Sequence, residues 1–163
     1  MSFTGGFGLT RAAKDATLKI PIVMAQDPDP VRNGLIVSLA RPGGNITGLA
    51  SLANELGTKR MEILKDAVPK LSRVAYLRTA DDNEQNRLAL KMIRDAAPAL
   101  RLNLNEIDTD TDTKGLESAF QIAKQKHVGA ILTSAARPLF AARKRIVELA
   151  GKYRLAAIYG QKE

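Results

Sequence analysis

From residue 54 onward, apolar runs of strand length alternate with stretches whose apolar residues recur at helical spacing, and this rhythm restricts the fold more than any other feature of the chain. The spacing predicts a helix over 54–68 with Leu56, Met61, Ile63, Leu64 and Val68 on its buried side, ended by Pro69. A strand follows at 73–78, then a helix to about residue 97, capped by Asp81 or Asp82 and facing Leu88, Met92 and Ile93 inward. Next come a strand at 102–107 and a helix to about residue 126, capped by Thr111 or Thr113 and burying Leu116, Phe120, Ile122 and Ala123. A fully apolar strand at 129–133, a helix opened by Pro138 and running to about residue 153, and a strand at 155–159 complete the series. Parallel strands joined by helices cross over right-handedly and are covered on both faces. The expected fold class is therefore α/β, a doubly wound, Rossmann-like parallel sheet, with strand order 2-1-3-4 after residue 70.

The earlier residues are less regular. Residues 1–19 are weakly patterned, with 12–16 as the end of a short helix, and 20–25 is an apolar run of strand length. Asp27-Pro28-Asp29-Pro30 must turn, because each proline biases its predecessor away from the helical region. Apolar residues at 31, 35, 36 and 39 then have helical spacing, stopped by Arg41-Pro42-Gly43-Gly44-Asn45, where the glycines supply positive φ. Residues 46–49 read as a short crossing strand.

Composition removes several function classes. The 163 residues contain no Cys and one His, so thiol chemistry, disulfides and multi-histidine metal sites are out. That one, His127, sits at a helix end, where a solvated imidazole suits the helix dipole. The net charge of +8 comes from basic residues interleaved with acids, as in Lys65-Asp66, so solvated helix faces are expected and nucleic acid is not. No apolar run is long enough to span a bilayer, and residues 1–19 lack a basic segment followed by an apolar one. Gly43-Gly44-Asn45-Ile46-Thr47-Gly48 precedes a strand and not a helix, so it fails the context of a nucleotide-binding loop. No cofactor and no metal are expected, and an enzyme on a Rossmann-like sheet is the least favoured reading.

Several segments resemble the substrate-binding proteins of ABC transporters with a type I periplasmic-binding fold. They are Ile20-Pro21-Ile22-Val23, Asp29-Pro30-Val31, Gly34-Leu35-Ile36 and the run Ser38-Leu39-Ala40-Arg41-Pro42-Gly43-Gly44-Asn45-Ile46-Thr47-Gly48. Leu71-Ser72-Arg73-Val74-Ala75-Tyr76-Leu77 and Arg154-Leu155-Ala156-Ala157-Ile158-Tyr159-Gly160 continue the likeness towards the end of the chain. The resemblance implies two lobes joined by crossing segments, a ligand held in the cleft between them, and no chemistry. It also implies a division of the chain into 1–48, a remnant of the first lobe with a hinge at Asn45, Thr47 and Gly48, and 49–163, the second lobe. Only the last strand of the first lobe, 20–25, is expected to be present, which makes the chain a truncated member. Such a strand, deprived of its sheet, is expected to pair with a second copy in a homodimer. The family implies a permease of an ABC importer as partner and a periplasmic or lipid-anchored extracytoplasmic location. Without a signal segment the chain as written is expected in the cytoplasm.

Ligands of open parallel sheets sit beyond the carboxyl ends of the strands. That selects Thr79 and Ala80 with Asp81, Asp82 and Asn83 after the first strand of the second lobe, Ser134 and Arg137 after the third, and Tyr159 with Gln161 after the fourth. Arg137 is either a bidentate partner for a carboxylate or a surface residue, standing where the family often carries Asp. Ser134 either meets a ligand or satisfies a loop backbone group, and Tyr159 either walls the cleft or packs in the core. Asp27, at the end of the 20–25 run, is placed to hold an ammonium group. The set favours a small polar ligand such as an amino acid. An effector-sensing or interaction module of the same fold is the alternative.

Overall fold

The computed structural model describes residues 2–4, 7–27, 29–50, 53–80 and 84–160. They form two compact units, 1–53 and 54–163.

The first unit is a three-stranded parallel sheet. β1 (Ser2–Thr4) and β3 (Ile46–Ala50) flank β2 (Ile22–Asp27), and α1 (Phe7–Ala16) connects β1 to β2. Residues 1–19 thus hold a strand and a helix, and β2 is paired on both sides. The expectation of a lone strand seeking a second copy loses its basis. Ile22, Met24, Leu35, Ile36 and Ile46 make the small core of this unit.

The helix expected over 31–40 is absent. A single helical turn forms instead. Asp29 Oδ1 caps it by accepting from Arg32 N (3.1 Å), and Leu35 N donates to Pro30 O (2.8 Å) while Gly34 N donates to Val31 O (3.0 Å). This pairing closes a helix when the residue after its end is left-handed, and Gly34 is, at φ 64°. Beyond it, Ser38 Oγ accepts from Arg41 N and turns the chain again. Gly43 takes a positive φ, at 76°, and Gly44 does not. The apolar spacing served burial of Leu35 and Ile36, not helix continuation.

The second unit is a four-stranded, all-parallel sheet in the order β5-β4-β6-β7. Its strands are β4 (Arg73–Arg78), β5 (Asn103–Asp108), β6 (Ala130–Thr133) and β7 (Ala156–Ile158). Renumbered from its first strand, the order is the 2-1-3-4 expected from the alternation. One face packs on α2 (Ala53–Ala67) and α3 (Glu84–Ala96) through Met61, Leu64, Val74, Tyr76, Ile93 and Leu132. The other packs on α4 (Thr113–Gln125), α5 (Arg137–Ala141) and α6 (Arg143–Tyr153) through Ala75, Leu77, Phe120, Ile131, Leu139 and Ile146. The layers are those of a doubly wound α/β lobe with helices on both faces.

Local differences have local causes. Leu56 and Ile63 are exposed, because α2 turns Met61 and Leu64 to the sheet. On α3, Leu90 and Ile93 are buried and Leu88 and Met92 only half so. α4 is capped by Asp112, whose carboxylate accepts from Gly115 N at 2.6 Å, and not by Thr111 or Thr113. The helix expected from Pro138 to residue 153 breaks at Ala142, whose ψ of 5° leaves the helical range and whose N–H turns back to the Pro138 and Phe140 carbonyls; Arg143 Nη1 also donates to the Phe140 carbonyl (3.3 Å). The caps proposed at Asp81 and Asp82 lie outside the described residues.

Across α4 and α6, Glu117 accepts from Lys152 Nζ (2.5 Å) and Tyr153 Oη (2.8 Å), with Arg145 Nη2 at 3.2 Å. The bond from Lys152, then that from Tyr153, holds the Glu117 carboxyl below its ordinary range, and the same bond raises Lys152. A depressed carboxyl contributes stability above its unfolded pKa, lost as pH falls through the folded one. The raised amine contributes below its unfolded pKa, lost on titration in alkali. Glu117→Gln should therefore lower the melting temperature at pH 7, and the gap to the parent should close as pH falls below about 4.

Gly48 pairs with Met24 in the β2–β3 ladder at φ 143°, and a Cβ there would stand 2.0 Å from the Met24 carbonyl oxygen. Gly48→Ala should cost about 2 kcal/mol or more, read as a lower denaturant midpoint at unchanged slope.

Candidate functional site

Each parallel strand of the second unit ends at the same edge, and its following loop inherits the exposed backbone there. After β6 the ladder continues one residue, Ser134 N donating to Leu77 O at 2.9 Å. After β7 the chain passes Tyr159 and Gly160. Against these two loop starts stand α5 and α6. Together they enclose a cavity of about 540 Å³ lined by Thr133, Ser134, Leu139, Phe140, Ile146 and Tyr159, with Arg143, Lys144 and Glu148 also on its wall.

The walls are mainly apolar. Arg143 lies over the Phe140 ring, its guanidinium carbon 4.6 Å from the centroid, and so places a cation on an aromatic face. Ser134 Oγ is buried and has no hydrogen-bond partner. A buried hydroxyl left unpaired costs on the order of 1–3 kcal/mol, so it is a natural contact for a polar ligand atom. Among the described residues no group of three or more His, Asp or Glu is arranged to hold a metal ion.

The loop residues selected from sequence separate into groups. Ser134 and Tyr159 line the cavity. Tyr159 also packs against the α4–α6 core, so wall and core are one role. Arg137 is exposed at the start of α5, and Thr79 (half-buried) and Ala80 (exposed) follow β4; none of the three lines the cavity. Asn83 and Gln161 lie outside the described residues. In the first unit, Asp27 is fully buried at the end of β2. Its Oδ1 accepts from Asp29 N (3.2 Å) and Asn33 Nδ2 (3.0 Å), while Oδ2 is buried without a partner. Asn45 Nδ2 clips the α1–β2 loop by donating to Thr17 O (3.1 Å) and Ile20 O (2.8 Å), and Thr47 and Gly48 are paired within β3.

Comparison with known proteins decides the family. The sequence profile described as ABC transporter substrate binding protein matches residues 5–161. The chain belongs to that family. A tyrosine-binding protein from Clostridioides difficile (strain R20291) is 37% identical over 67 residues, 41% of this chain and 19% of that protein. A conserved domain protein from Vibrio cholerae O1 biovar El Tor superposes with a TM-score of 0.73 at 21% identity, over 96% of this chain and 51% of its own. An ABC domain in complex with L-Trp from Streptococcus pneumoniae gives 0.70 at 18% identity, over 96% and 53%. The chain spans about half the length of these solved structures, and at such identities they establish the fold.

The substrate-binding proteins of this family are extracytoplasmic and bind their substrates without transforming them. In this member no helix among the described residues is long and apolar enough to cross a membrane. Sequence reasoning missed the contribution of α5 and α6 to the cavity. Leu139, Phe140, Arg143, Ile146 and Val147 recur at helical spacing, which announces a helix from Pro138 but not the cavity they line.

All three tyrosines of this substrate-binding protein are raised above the ordinary phenol value. Burial does it for Tyr76 and Tyr159, and the bond to Glu117 does it for Tyr153. With no Trp in the chain, absorbance at alkaline pH reports them cleanly. The folded protein should show little phenolate as pH passes about 10, and denaturant should release all three at that value. By linkage, each neutral phenol stabilises the fold below about pH 10, and that contribution is lost as pH rises through the folded pKa.

Proposed function

We propose that this chain is a solute-binding unit of an ABC-type importer and that it takes an amino acid with an apolar or aromatic side chain. The observation that carries the reading is the cavity at the ends of β6 and β7. Its Phe140, Leu139, Ile146 and Val147 walls suit such a side chain, and its unpartnered Ser134 hydroxyl suits a polar head group. The tyrosine-binding relative and the neighbour solved with L-Trp support that ligand class. In the first unit, taken by itself, Asp27 keeps one carboxylate oxygen buried and without a partner. The permease of the importer is the proposed macromolecular partner, on the extracytoplasmic side of the membrane.

Thermal melts against the twenty amino acids test this. A ligand at a hundred times its dissociation constant stabilises by about 2.7 kcal/mol. Tyrosine, tryptophan or a large aliphatic amino acid should raise the melting temperature by several degrees. Ser134→Ala should weaken that ligand about tenfold, and Phe140→Ala should do so more for aromatic ligands than for aliphatic ones. A protein unmoved by every amino acid at millimolar concentration would sink the reading.

A further inference from the structure

The ends of β6 and β7 are approached from the other face of the sheet by Arg60 of α2. Its Nε donates to Leu56 O of its own helix at 3.0 Å. Its Nη1 is buried and has no hydrogen-bond partner. Among the described residues no carboxylate pairs with this guanidinium, in a chain where Arg78, Arg94 and Arg145 each hold one. Its electrostatic neighbour is the phenol of Tyr76, neutral at physiological pH. Burial pulls the guanidinium pKa down, yet an arginine stays charged. A partly buried cation without a counter-charge is a cost to the fold.

Gly160 lies close against this guanidinium. A Cβ at Gly160 would lie 3.0 Å from Arg60 Nη1 and 3.0 Å from Ala135 Cα. A side chain at this position would require the guanidinium and the Ala135 backbone to give by a few tenths of an ångström. Alternation along β7 turns Ala156 and Ile158 to the α2–α3 face, and Gly160 follows them to that face. Leu132 faces the same way on β6, and the ladder bond of Ser134 carries the extended chain one step further. Two unsatisfied donor atoms, Arg60 Nη1 and Ser134 Oγ, therefore belong to one edge of one sheet.

We propose that Arg60 is a carboxylate-binding residue at this edge, receiving the acid group of a small organic ligand with help from Ser134. The planar guanidinium suits a carboxylate, which takes two parallel hydrogen bonds from it. The assignment rests on the binding reading above in taking the strand ends as the ligand surface, and it names Arg60, not Arg137, as the arginine that receives the acid group.

The test uses the full chain with benzoate and its neutral isostere benzamide as probes, at constant ionic strength. Benzoate should raise the melting temperature and shift the Arg60 Nε–H resonance saturably, and benzamide should do neither. Arg60→Met should weaken benzoate about tenfold or more. Without ligand it should melt at or above the parent, because an apolar side chain of similar volume replaces an uncompensated charge. Gly160→Ala, which crowds Nη1, should weaken benzoate as well. A parent that ignores benzoate, a parent that answers inorganic phosphate equally well, or an Arg60→Met variant that melts lower while binding benzoate unchanged would each overturn the assignment. A parent that answers benzoate but no amino acid would defeat the amino-acid reading and leave Arg60 in its role.

Discussion

Strand β4 is buried on both faces over four consecutive residues, Val74, Ala75, Tyr76 and Leu77, with exposures of 0, 0, 5 and 1%. Val74 and Tyr76 enter the core under α2 and α3, and Ala75 and Leu77 enter the core under α4–α6. Ladders run on either side, to β5 and to β6. Removing a large apolar side chain here forfeits about 2–5 kcal/mol, a sizeable share of what holds a domain folded. The strand also sets the site. Its terminal carbonyls at Leu77 and Arg78 receive Ser134 N and Thr109 N, so the loops after β6 and β5 leave the sheet from a fixed edge.

The lengths of the connections depend on a second device, used three times. α4, α6 and the short turn at 98–100 end in a residue with left-handed backbone, His127, Arg154 and Arg101, at φ 54°, 54° and 55°. In each case its N–H returns to the carbonyl three residues back, and the next N–H to the one five back. The following residues, Val128, Leu155 and Leu102, are then delivered to the sheet at once. A left-handed non-glycine residue costs roughly 1–2 kcal/mol, offset by two satisfied carbonyls and an apolar contact. His127 is thereby structural, at the turn that brings β6 into register.

Polar groups divide by position. On the outer helical faces, Glu117, Arg145, Glu148 and Lys152 form a connected set that holds α4 to α6. At the strand ends, by contrast, Ser134 Oγ, Arg60 Nη1 and, in the first unit, Asp27 Oδ2 are buried without partners. Folded chains rarely leave such atoms unpaired, and each calls for a reason; Arg145 Nε, within the helical set, is buried without a hydrogen bond too. The +8 net charge is therefore less informative than the buried, unpartnered Nη1 of Arg60.

The alternation of apolar runs determined the second unit before any coordinate was known. Parallel strands, two-sided helix cover and strand order all follow from period and connection length, because burial on both faces demands apolar runs and crossovers demand helices. The ordered segments from Ile20 to Gly48 likewise carried the family. Ser134 and Tyr159 were legible too, since strand ends can be located from strands. Three things were not. The turn at 29–34 hid in helical spacing, because apolar periodicity records which residues are buried and a left-handed Gly34 decides whether the helix continues. The contribution of Phe140 and Arg143 depended on a break at Ala142 that no proline or glycine marks. Arg60 lies about a hundred residues from Gly160 in sequence. Only packing of α2 on the sheet puts the two side by side, and only packing shows that the guanidinium is left without a counter-charge.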